Sequence, residues 1–189
     1  RVPPECSVLA LDGSHLRRLD ELGTLRRPSR KAPLVVVSPE FVHYCKLANY
    51  APSARAAAVL QPLPVSLPAA GASGVLLCTT GFRDGSRAEG TKARLLVELG
   101  AKALGARVER DLSDRVTHLV PSEELLDALG GGEGGGEGDT QLSSRRFEKL
   151  LFAWRIGIPV VRAAWVEECL AAGRLVLVGP FQVAPDPRA

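Results

Sequence analysis

From Gly74 to Val183, short runs rich in valine, leucine and isoleucine alternate with longer amphipathic stretches, and this alternation restricts the chain to folds that mix sheet and helix. Val75-Leu76-Leu77-Cys78 suits a buried strand, and Thr79-Thr80-Gly81-Phe82 closes it with a turn-forming glycine. Lys92 to Leu104 reads as a helix with Leu95, Leu96 and Leu99 on one face and Lys92, Arg94, Glu98 and Lys102 elsewhere, stopped by Gly105. Arg107 to Arg110 and Val116 to Val120 read as two further strands. Beyond a glycine-rich interruption, Arg145 to Trp154 reads as a second helix, Ile158 to Val161 as a fourth strand and Ala164 to Ala172 as a third helix. The order β-α-β-β-α-β-α predicts an α/β sandwich in which helices cover a mostly parallel sheet.

Composition narrows the chemistry. The 189 residues allow one large or two small domains, and an apolar fraction of 46% supplies a real core. The longest apolar runs, such as Leu34 to Val37 and Leu175 to Val178, are far too short to span a bilayer, and no amino-terminal signal pattern is visible. A soluble intracellular protein is expected, with Arg1 read as an excision point. The cysteines Cys6, Cys45, Cys78 and Cys169 lie far apart, with neither a Cys-x-x-Cys pair nor a histidine at ligand spacing, so they read as buried free thiols in a reducing compartment rather than as metal ligands. A net charge of +3 on a chain that is 24% charged carries no global signature of nucleic-acid binding. No P-loop, Gly-x-Ser-x-Gly, His-Glu-x-x-His or dinucleotide fingerprint occurs, and His15, His43 and His118 are isolated in sequence. Neither catalysis nor a cofactor is expected within this segment, although a longer parent protein that is an enzyme is compatible with that.

Two segments carry a family resemblance. "LGARVERDLSDRVTHLV" from Leu104 and "GIPVVRAAWVEECL" from Gly157 resemble the most recognisable parts of the BRCT repeat, over residues 74 to 183. The resemblance implies a three-layer α/β sandwich with a small, mostly parallel four-stranded sheet flanked by helices. Gly105, Thr117 and Trp165 then have structural roles: a tight turn, a local hydrogen bond and a large apolar body between the last helix and the sheet. The first third is similar to the carboxy-terminal half of the same repeat. It offers a strand at Cys6 to Leu11, a helix at His15 to Leu25 with Leu16, Leu19 and Leu22 along one side, a strand at Leu34 to Val37, and a helix start capped by Ser38 with Pro39 in its first turn. Phe41 stands where the family usually has tryptophan.

The expected organisation is thus a half repeat at 1–50 whose other half lies upstream, a linker at 51–73, a complete repeat at 74–183 and a tail at 184–189. The Ala/Pro-rich linker reads as semi-rigid and extended, with one short helix at Ala54 to Leu60 packed between the repeats. Residues 130–139, almost all glycine apart from acidic residues such as Glu133 and Glu137, read as a flexible surface insertion. A single continuous domain that uses the early segment as added strands is the alternative.

Three functions follow from the resemblance, all in a nuclear DNA-damage or repair setting. In phosphopeptide-binding members a Ser or Thr hydroxyl, the N–H of the following Gly and a Lys on the second helix hold the phosphate. Thr80, Gly81 and Lys149 match those positions, with Thr79, Arg145 and Arg146 as possible auxiliaries. A phosphoserine or phosphothreonine brings nearly two negative charges and strong acceptor oxygens, which a hydroxyl, an unobstructed N–H and an ammonium satisfy together. Alternatively, "EGTKARLLVELGAKALGARV" from Glu89 is similar to one helix in the carboxy-terminal repeats of DNA ligase IV, which implies a phosphate-independent scaffold for a constitutive repair partner. The third reading is contact with DNA ends through the basic cluster Arg17, Arg18, Arg26, Arg27, Arg30 and Lys31. No membrane partner is expected.

Overall fold

A computed structural model describes residues 8–10, 35–53, 55–64, 66–82, 88–130 and 140–185. Strand β3 (Leu76–Thr80) lies at the centre of a three-stranded parallel sheet, between β4 (Arg107–Glu109) and β5 (His118–Pro121). Its register pairs Leu77 with Val108 on one side and with His118 on the other, and Thr80 with Pro121. Leu76 to Thr79 are all buried, the continuous burial of a parallel strand covered on both faces. Because side chains alternate along a strand, Leu77 and Thr79 point to one face and Cys78 and Thr80 to the other.

The first face is covered by helix α2 (Ala88–Leu104) and the last helix α5 (Ala164–Ala172), with Val97, Leu99, Ala101, Leu104, Trp165, Val166 and Leu170 in its core. The packed side of α2 is rotated from the expected leucine face: Leu99 is buried, whereas Leu95 and Leu96 are only partly so. Gly100 explains the rotation. A Cβ there would come within 2.9 Å of Val166 Cγ1, so α2 and α5 cross at a contact that requires the missing side chain. The second face is covered by α4 (Thr140–Arg155), whose Leu150 and Ala153 pack on Cys78, Leu119 and Val160.

Two features depart from the sequence reading. The fourth strand expected at Ile158 to Val161 is reduced to an isolated parallel bridge between Leu119 and Val160. The Pro159 carbonyl accepts from Leu119 N–H at 3.0 Å and Val161 N–H donates to the Leu119 carbonyl at 2.9 Å. Pro159 has no N–H to extend the ladder, and on the other side Val161 forms an isolated antiparallel bridge with Gln182, closed by Arg162 N–H to the Phe181 carbonyl at 3.0 Å and Val183 N–H to the Val160 carbonyl at 2.8 Å. The other departure is an unexpected helix, α3 (Glu123–Gly130), between β5 and the insertion. Ser122 Oγ accepts from Leu125 N–H at 3.2 Å, Glu123 and Glu124 occupy the first turn, and Leu125 and Leu126 are buried.

Towards the amino terminus, β1 (Val8–Ala10) and β2 (Val35–Val37) pair in parallel, and α1 (Pro39–Ala48) follows directly. Ser38 Oγ accepts from Phe41 N–H at 3.3 Å, as a capping serine should, and donates to the Val59 carbonyl. Phe41, in the tryptophan's place, packs partly buried against the first-face core. The linker is not free and extended. Val59, Leu60, Leu63, Ala69 and Ala72 are buried in that core, and Ala69 N–H donates to the Leu104 carbonyl at 2.8 Å. The short helix read at Ala54 to Leu60 is a single 3-10 turn, Ala58–Leu60, in contact with α1, α2 and α5. The helix read at His15 to Leu25, the basic cluster from Arg17 to Lys31, Cys6 and the insertion from 131 to 139 lie outside the described residues.

Candidate functional site

The carboxyl end of β3 carries the residues singled out for phosphate. Thr80 is the last residue of the strand, and its carbonyl accepts from Ser122 N–H at 2.9 Å. Gly81 follows at φ +80, where a Cβ would lie 2.8 Å from both Leu125 Cβ and Ser122 Oγ. Both the backbone angle and the space demand glycine. Lys149 reaches the same edge from α4, its ammonium donating to the Arg110 carbonyl at 2.9 Å. The Cys78 thiol donates to that carbonyl too, at 3.6 Å. Burial pushes the Cys78 pKa up, and the nearby Lys149 ammonium pulls it partly back.

Thr80, Cys78 and Lys149 therefore share the second face. Among the described residues no hydrogen bond joins Lys149 to Thr80 or Gly81. Thr79 is buried and points to the first face, away from Thr80. Arg145 and Arg146 belong to α4, but their side chains lie outside the described residues.

The residues read as structural are all tied to non-local partners. Gly105 ends α2 at φ +95, with room for a Cβ blocked by Pro68 at 2.8 Å. Thr117 bonds across the sheet as well as locally: its Oγ1 accepts from Leu76 N–H at 2.9 Å and lies 3.1 Å from the Leu76 carbonyl, clamping both backbone polar groups of one residue of the central strand. The same hydroxyl lies 2.9 Å from His118 Nδ1, and a hydrogen on Nδ1 satisfies every group in the set. Trp165 is buried, stacks on the His118 ring at 4.7 Å between centroids, and donates through Nε1 to the Val176 carbonyl at 3.1 Å. Burial holds the His118 pKa below its ordinary value.

Sequence reasoning missed a groove of about 320 Å³ on the first face, between α2, the start of α3 and α5. Phe82, Leu96 and Val97 give it apolar walls, while Glu89, Glu123, Glu124 and Glu167 also line it. The Ser-Glu-Glu-Leu-Leu run that starts α3 was the available signal. Among the described residues no group of three or more His, Cys, Asp or Glu is arranged to hold a metal ion, and no helix is long and apolar enough to cross a membrane. Cys45, Cys78 and Cys169 are free thiols.

Comparison with known proteins agrees with this architecture. No sequence among the curated proteins matches the chain significantly. Among solved structures, BRCT repeats 3 and 4 of Rad4 from S. pombe superpose with a TM-score of 0.50 at 15% identity, covering 94% of this chain and 95% of that one. Yeast Rtt107 crystallised with Mms22 superposes with a TM-score of 0.53 at 14% identity, over 94% of this chain and 33% of that one. Rtt107 crystallised with Slx4 gives a TM-score of 0.51, also at 14% identity, over 94% and 32%. The sequence model of the BRCA1 C Terminus (BRCT) domain matches residues 73–170, which contain the whole three-stranded sheet, the Gly105 turn, the Thr117 clamp and Trp165, and the chain belongs to the BRCT family.

Proposed function

We propose that this chain is a nuclear protein-interaction module of a DNA-damage response or repair protein, and that it reads a phosphoserine or phosphothreonine peptide through Thr80, Gly81 and Lys149. The observation that supports this reading is that Thr80 and Gly81 end β3 while Lys149, on the helix that covers the second face, donates to the same Arg110 carbonyl as the Cys78 thiol of that strand. An ammonium has three donors, and Arg110 uses one, leaving two for phosphate oxygens. The proposed organisation is the end of one repeat at 1–50, a packed linker at 51–73 and a full repeat at 74–183. The superposition on a two-repeat segment of Rad4 over nearly its whole length supports it.

A library of phosphoserine and phosphothreonine peptides, each paired with its dephosphorylated twin, tests the reading. Phosphate-dependent binding that is lost in Thr80→Ala and Lys149→Glu is expected. Equal affinity for each pair overturns it. The engagement of Lys149 by Arg110 favours a second reading, a phosphate-independent scaffold for a repair partner, in which the lysine is part of the fold. The crystallised complexes of Rtt107 with Mms22 and with Slx4 are consistent with protein partners for this fold.

A further inference from the structure

The groove on the first face is chemically opposite to the Thr80–Lys149 edge. Among the described residues four glutamates line it and no lysine, arginine or histidine does. Two of them are already paired outward, Glu89 with Lys92 at 3.2 Å and Glu123 with Arg162. Glu124 and Glu167 have no ion-pair partner among the described residues, and both are exposed on the rim. Carboxylates alone would be an ordinary solvated rim. Here they surround apolar walls, Phe82, Leu96 and Val97, in a cavity large enough for a long side chain and part of its backbone.

An occupant must therefore offer apolar surface in its body and positive charge near its tip. We propose that this groove docks a segment of a partner protein through an arginine side chain. The methylene stem of arginine lies against apolar walls while its planar guanidinium bonds carboxylates in a fork and stacks on an aromatic face. Lysine satisfies the charge but not the fork. A phosphorylated or acidic residue is repelled. The contact goes beyond the phosphopeptide reading: it uses the other face of the sheet and needs no phosphate.

Pools of short unphosphorylated peptides with degenerate flanks and a fixed central arginine, lysine, citrulline or leucine, titrated against the full chain, test it. The arginine pool should bind most tightly. Citrulline, which keeps the shape and loses the charge, should weaken binding by roughly tenfold, as should Glu124→Gln combined with Glu167→Gln. Raised salt should weaken it as well. Lys149→Glu should leave arginine binding unchanged, and the glutamate variant should leave phosphopeptide binding unchanged, so failure of one site is distinguishable from failure of the other. Equal binding of the arginine, citrulline and leucine pools, indifference to the glutamate changes in a variant with unaltered melting, or no binding of any pool each overturns the proposal.

Discussion

The two faces of the sheet are built on different plans. The first face gathers buried residues from Tyr44 through the linker to Leu170, so it holds α1, the 3-10 turn, α2 and α5 in one core. Among the described residues, the buried core of the second runs from Cys78 to Val160, includes Leu125 of α3, has Val183 packed against it and is covered by α4. The first face therefore joins the amino-terminal region to the rest, and the second closes locally. Their edges differ in charge as well: the acidic groove opens on the first and Lys149 approaches the second. Architecture and candidate chemistry are separated in this way, because residues at the sheet's edge vary in charge without disturbing either core.

Trp165→Ala should have the largest effect, because it removes a buried ring, its His118 stack and its bond to Val176 together. A loss of about 3–5 kcal/mol in urea unfolding is expected, a large share of a small domain's stability. Leu150→Ala, at the centre of the second face, should cost about 2–5 kcal/mol. Amide exchange separates the two. Trp165→Ala should expose amides in α1 and the 3-10 turn as well as in α2 and α5, whereas Leu150→Ala should leave α1 protected. Equal loosening of α1 in both variants would break the distinction between a joining face and a local one.

A smaller effect sharpens the same contrast through pH. His118 is on the first face, held below its ordinary value near 6.5 by burial. On acidification the unfolded chain takes the proton first, so this group's contribution is intact above 6.5 and declines as pH falls below it. His118→Phe keeps a ring against Trp165 and removes the titration, so its stability should depend less on pH between 6.5 and 5 than that of the parent chain. Identical slopes would mean that the stack tolerates a charged imidazole.

Local signals made most of these elements legible, and non-local ones hid the rest. The helix Ala164–Ala172, the stop at Gly105 and the serine cap at Ser38 follow from their own residues and are where those residues place them. Residues 158 to 161 have a strand's composition, but strand length depends on how long a neighbour runs alongside, and Pro159, without an N–H, leaves one parallel bridge to Leu119 and one antiparallel bridge to Gln182. The packing of Val59 and Leu60 follows from the short apolar run at the end of 54–60, but the linker's Ala/Pro composition conceals that Leu63, Ala69 and Ala72 are buried in the same core, because burial is decided by partners far along the chain. Glycine-for-packing at Gly100 and the outward rotation of Leu95 and Leu96 are hidden for the same reason. At the candidate site, Gly81 was legible from its turn. The engagement of Lys149 by a carbonyl 39 residues away was not.

That engagement frames the smallest stability effect and the sharpest question. Lys149→Met keeps the stem on α4 and deletes the bond to the Arg110 carbonyl, which is near water and can be hydrated in its place. The expected cost is below about 1 kcal/mol, since a partly exposed hydrogen bond exchanges with solvent at little net loss. A larger loss, seen as a lowered urea midpoint, would make Lys149 a strap between α4 and the end of β4, and its effect on binding would then report folding. If the loss is small, the lysine's role is separable by a cycle that pairs the parent and Lys149→Met chains with phosphorylated and unphosphorylated forms of one peptide. Coupling between the ammonium and the phosphate appears as non-additivity in that cycle, whatever else the substitution does. Additivity would assign Lys149 to the second face alone.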